Sequence, residues 1–176
     1  MSTSSYNPKI SDLNDLLAVA YQIESDAADR YHLLAEQMET HNNLELVKIF
    51  RDLARAENIH GEEIQRLAGD FDVVYRARQI ARFERTESPE EAALDSAHYL
   101  MTPWHALQLS LAGEKRALAY FGRIVETATD PKVKAMAAEL VEEEAEHVNL
   151  VNRLLLRYPR PDDSWAEDSD PPVALE

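Results

Sequence analysis

Apolar or small residues recur at alternating steps of four and three along four stretches of the chain. The first stretch runs through Leu13, Leu17, Ala20, Ala27, Tyr31, Leu34 and Met38. The second has Leu46, Phe50, Leu53, Ile64 and Leu67. The third has Leu107, Ser110, Ala117, Phe121, Ile124 and Ala128, and the fourth Ala137, Leu140, Val151 and Leu154. This rhythm is the seam of a helix packed in a bundle. Only 4 glycines and 8 prolines occur in 176 residues, which disfavours a turn-rich β protein and suits long helices.

The punctuation between stripes fixes an order. Residues 1–10 read as a loose arm, with Ser11 or Asp12 as the first cap. "ETHNN" (39–43) is a polar turn and Gly69 a helix stop. In "TATDP" (127–131), Asp130 and Pro131 suit an N-cap followed by a first helical position. Residues 70–103 are too long for a hairpin turn, and 88–101 within them suggest a short helix capped by Ser88. The predicted architecture is therefore all-α: a bundle over 11–157 made of two hairpins joined by one long crossover, the ferritin-like layout. The tail 158–176 is acidic and proline-rich and is expected to be disordered.

Each stripe is broken by polar residues. The breaks are Glu24 in the first, Glu57 and His60 in the second, Glu114 in the third, and Glu144 and His147 in the fourth. Burying an unpartnered carboxylate costs several kcal/mol, and the stripes themselves hold no Lys or Arg to offset four of them. The midpoint of 24 and 57 is 40.5, and that of 114 and 144 is 129, each inside a predicted turn. In antiparallel hairpins both glutamate pairs are then level, roughly 25 Å from the turns. The two halves repeat one pattern, Glu and then Glu-x-x-His about 30 residues later, as expected of an internal duplication.

Residues three apart share a helix face, so each Glu-x-x-His can grip one ion. Four carboxylates match two divalent cations in charge. Two such motifs plus one glutamate on each remaining helix form the di-metal carboxylate site of helix bundles. Mixed carboxylate and imidazole ligands suit iron, with manganese the alternative. Glu24 and Glu114 are assigned bridging or mobile roles, and His60 and His147 anchor one ion each. Glu142, Glu143 and Glu146 fall off the stripe and read as a solvated face, although Glu143 can replace Glu144 if the helix is rotated. Glu63 also reads as solvated. His32, His41, His98 and His105 are given surface or packing roles, and Tyr31 and Phe121 the role of bulky core residues.

The net charge of −15 argues against nucleic acid as a partner. With no cysteine, thiolate metal sites and disulfides are excluded. The polar start "MSTSSYNPKISD" lacks a signal-peptide core, and no apolar run approaches the roughly 20 residues that span a bilayer. A cytoplasmic protein without a membrane partner is expected.

At "IFRDLARAENIHGEEI" (49–64), "LAGEKRALAYF" (111–121) and "VEEEAEHVNLV" (141–151) the chain resembles the rubrerythrin branch of the ferritin-like superfamily. The resemblance spans roughly 13–68 and 104–157. It implies a non-haem di-iron centre reacting with hydrogen peroxide or O2, in a homodimer. Members of that branch usually carry a rubredoxin domain whose cysteines hold an electron-delivering iron; here a separate electron donor is implied. They also have a seventh ligand where this chain has Ala117, mirrored by Ala27. Six ligands are closer to bacterioferritin-type ferroxidase centres. The expected function is a di-iron peroxidase or ferroxidase, the alternative being iron binding or storage without turnover.

Overall fold

The computed structural model describes residues 10–83 and 101–162. The arm before Ile10, most of the short helix expected over 88–101, His98 and the tail beyond Asp162 lie outside the described residues.

Helix α1 spans Leu13–Thr40, α2 Leu44–Ala68, α3 Val73–Phe83, α4 Pro103–Thr127 and α5 Pro131–Leu155, with no strand among the described residues. Local chemistry sets the ends. Asp12 caps α1, its carboxylate accepting from Asp15 N at 3.0 Å. Asn43 caps α2 through Leu46 N, after Asn42 has turned the chain at φ 53°. Gly69 ends α2 at φ 58°, where a side chain would be strained. Asp130 caps α5 ahead of Pro131. At α4 the cap is Thr102 with His105, whose Nδ1 accepts from Thr102 N at 3.4 Å. His105 thus serves helix capping.

The result is a ferritin-like four-helix bundle of two hairpins, α1–α2 and α4–α5, joined by a long crossover. Its core is in two parts. One packs Met38, Leu46, Phe50 and Leu53 with Met101, Leu107 and Leu154. The other packs Leu16, Leu17 and Ile23 with Ile124, Val133 and Leu140. The α1–α2 turn closes the first and the α4–α5 turn the second, so the hairpins point in opposite directions. Glu24, Glu57, Glu114 and Glu144 occupy the level between.

Two features depart from the sequence reading. The crossover begins with α3, whose Val73, Ala77 and Ile80 are buried against α1 and α2. Arg76 ties α3 to α1 by an ion pair with Asp15 at 2.8 Å. Leu67 lies outside the seam at 62% exposure, while Ala68 packs on the core. A strict four-three rhythm drifts by about 20° per heptad against a real helix, which carries the buried position on by one residue at the last turn.

Candidate metal centre

All six residues that interrupt the stripes meet at one level. Glu57 is 1% exposed, Glu114 2%, Glu24 3% and Glu144 4%. The imidazoles are partly covered, His60 at 22% and His147 at 14%. Their rings stack at a centroid distance of 5.6 Å. Glu57 lies between them, with Oε2 3.4 Å from His60 Nδ1 and Oε1 3.3 Å from His147 Nδ1. Glu24 Oε2 faces His60 Nδ1 at 3.8 Å, and Glu114 Oε2 faces His147 Nδ1 at 3.4 Å. Ligand atoms fall within 4.8 Å of one another in three groups: Glu57, His60 and His147; Glu114, Glu144 and His147; and Glu24, His60 and Glu143.

The stripes hold no Lys or Arg, but a residue beside the first stripe brings a cation to this level. Arg30 is 1% exposed, and its Nη2 donates to Glu114 Oε1 at 2.6 Å. Tyr31 OH donates to the same oxygen and lies 3.0 Å from Ser110 Oγ. Arg30 was missed because it sits beside the stripe at Tyr31, and its long side chain carries the guanidinium inward. Tyr31 is thus a partner of the site as well as a core residue. Of Glu24 and Glu114, both assigned bridging or mobile roles, Glu114 has one oxygen held by Arg30 and Tyr31. Glu143 is half-buried and is not part of a solvated face, unlike Glu142 and Glu146.

The electrostatics follow the packing. Burial pushes Glu24 up to about 8 against the pull of His60, with Glu57 adding to the rise. Burial, together with Glu24, Glu114 and Glu57, raises Glu144 well above the usual carboxylate range. Burial would also raise Glu114, but His147, Arg30 and Tyr31 outweigh it and hold the carboxyl at about 2. Glu24 and Glu57 raise His60 to about 10. His147 reaches about 9 because Glu114, Glu57 and Glu24 overcome the effect of burial. Without a cation the cluster therefore holds protons at neutral pH.

Both carboxylate oxygens of Glu57, and Nδ1 of His60, are buried without a hydrogen-bond partner. Stranding such groups is costly, and a cation satisfies them at once. The donor set of carboxylate oxygens and imidazole nitrogens fits iron or manganese. A groove of about 240 Å³ between α1 and α2, lined by Tyr21, Ser25, Asn58, Gly61 and Gln65, reaches Glu57 from solvent.

The family model for rubrerythrin matches residues 15–155, which include all six residues. The chain belongs to the rubrerythrin family. A solved structure of an uncharacterized conserved protein from Magnetospirillum magnetotacticum MS-1 is similar at 35% identity and a TM-score of 0.68, over 86% of this chain and 98% of that one. No curated protein matches the chain. The rubrerythrin family includes di-iron oxidoreductases, and the Glu and His cluster of this member fits a metal site. Among the described residues no helix is long and apolar enough to cross a membrane.

Proposed function

We propose that this member of the rubrerythrin family is a non-haem di-iron oxidoreductase that reacts with hydrogen peroxide or O2. The observation that carries the reading is Glu57, fully buried with both oxygens lacking hydrogen-bond partners, between two stacked histidines. Its carboxylate would be shared by two ions, with His60 and His147 each holding one of them. Glu24 completes the His60 side; Glu114 and Glu144 complete the His147 side. Manganese is the alternative metal.

A pair of irons held there supplies two electrons at adjacent atoms, as reduction of a peroxide O–O bond requires. The protein's part is to hold the pair level, to exclude bulk water and to leave a groove wide enough for a small oxidant. Imidazoles that carry protons in the metal-free state must release them on loading, so metal binding and proton release are linked. With no cysteine among its 176 residues, the chain has no thiolate iron of its own to deliver electrons. The reductant is a separate donor, and the working unit is a homodimer.

The test is anaerobic loading of the metal-free protein with Fe(II), followed by hydrogen peroxide or O2. Remaining Fe(II) is measured with a chelator. Two irons per chain and oxidation faster with peroxide support a peroxidase; oxidation faster with O2 supports a ferroxidase. Hundreds of irons per assembly would indicate storage, and a chain that retains no iron would sink the reading.

A further inference from the structure

Two charged residues break the internal duplication at the level of the site. Pairing Glu24 with Glu114 and Glu57 with Glu144 aligns the halves residue by residue. Arg30 then corresponds to Tyr120, Tyr31 to Phe121, Ser110 to Ala20, and Glu143 to Ala56. The two groups that hold Glu114 Oε1, the Arg30 guanidinium and the Tyr31 hydroxyl, therefore correspond on the Glu24 side to an uncharged phenol and a ring without a hydroxyl. Glu143 is the converse, an acid on α5 where α2 has a methyl group.

We propose that Glu143 is a seventh ligand, capping the metal position formed by Glu24 and His60. The inference rests on the metal-centre reading above. Adjacent residues on a helix point about 100° apart, so Glu143 and Glu144 flank the cluster on different sides. Glu144 groups with Glu114 and His147, and Glu143 with Glu24 and His60, each set within 4.8 Å. Two ligand atoms on opposite sides of one ion stand about 4 Å apart, so a small contraction closes the second set on a cation. His60 Nδ1, buried without a hydrogen-bond partner, belongs to this position, as does the adjoining Glu57.

Charge supports the same assignment. The four core carboxylates alone match two divalent cations. Arg30, buried against Glu114, adds one positive charge and leaves the loaded site one unit positive. An ionised Glu143 restores neutrality. The fixed cation lies on the Glu114 side and the extra anion on the Glu24 side, so the two positions differ. At one, Arg30 and Tyr31 pin a carboxylate oxygen. At the other, a half-buried carboxylate can swing between the ion and solvent.

Stepwise titration of the metal-free protein with Co(II), read by calorimetry and by the visible ligand-field bands, tests the assignment. The wild-type chain should bind two ions. Glu143→Gln and Glu143→Ala should weaken one of the two by at least about tenfold and change its bands, leaving the other unaltered. Glu146→Gln removes the same charge from an exposed neighbour and should leave both ions as in wild type. If wild type binds two ions and Glu143→Gln behaves like Glu146→Gln, the seventh ligand is overturned while the metal centre stands. If wild type fails to bind two, both fall.

Discussion

Arg30 and Glu114 form an ion pair inside the bundle, 2.6 Å between Nη2 and Oε1, with neither side chain more than 2% exposed. The pair links α1 to α4, across the two hairpins rather than within one. Isolating either charge at this depth is costly. Replacing Arg30 with Met should destabilise the metal-free protein by about 3–5 kcal/mol, measured by chemical denaturation. Full loading with a divalent cation should recover part of the loss, because the ion then compensates Glu114. An unchanged denaturation midpoint would mean that the guanidinium does not hold Glu114.

The pair also marks the limit of what the sequence made legible. The six site residues were readable because each replaces an apolar residue on a regular stripe, and burial there leaves few physical options. Arg30 and Glu143 were not, because each sits one position from a stripe residue, at Tyr31 and Glu144. Whether a side chain beside a seam turns inward depends on the neighbouring helix, which periodicity within one helix cannot report. The same reason hid α3. Among the described residues its buried positions are Val73, Ala77 and Ile80, interleaved with Arg76 and Arg78, and what buries them is chiefly α1. Caps at Asp12, Asn43 and Asp130 are local chemistry, and Asp12 and Asp130 were legible for that reason.

The metal-free protein should lose stability as pH rises. His60, His147 and Glu24 have folded-state pKa values raised to about 10, 9 and 8. Raised values mean that the folded chain binds these protons more tightly than the unfolded chain. Their contribution is complete below the ordinary values near 6.5 for His and 4.5 for Glu, and it is lost as pH climbs through the raised ones. Glu114, held at about 2, acts oppositely: its contribution is present above about 4.5 and lost as pH falls toward 2. Thermal midpoints in chelator should therefore fall between pH 6.5 and 10. With a divalent cation the trend should weaken or reverse, because the protons that oppose binding leave in the same range.

Glu144 separates stability from metal binding. Burial and three neighbouring carboxylates keep its proton on well above the usual carboxylate range. A neutral isostere therefore resembles the state it already adopts without metal. Glu144→Gln should leave metal-free stability near pH 4.5 within about 1 kcal/mol of wild type and should make the variant the more stable protein at pH 7 and above, where the unfolded wild-type chain releases the proton that its folded Glu144 keeps. The same substitution should weaken binding at the His147 side by more than about tenfold, since an amide is a poor replacement for a carboxylate ligand. Denaturation and Co(II) titration on one preparation measure both. A large loss of metal-free stability at pH 7 would contradict the protonated assignment.

Gly61 offers a stabilising change. It lies buried inside α2, four residues after Glu57, where nothing in the backbone calls for a positive φ. A Cβ added there would meet the ring of Tyr21 at 3.6 and 3.8 Å, ordinary contact distances. Glycine in a helix interior costs about 0.8–1.0 kcal/mol relative to alanine. Gly61→Ala should therefore raise stability by about 0.5–1 kcal/mol, seen as a higher denaturant midpoint with an unchanged slope. One methyl group fills little of the groove that reaches Glu57, so Co(II) stoichiometry should stay as in wild type. A lower midpoint would show that Tyr21 cannot accept even that methyl, and that the approach of α1 to α2 at this level is tighter than the 3.6 Å contact implies.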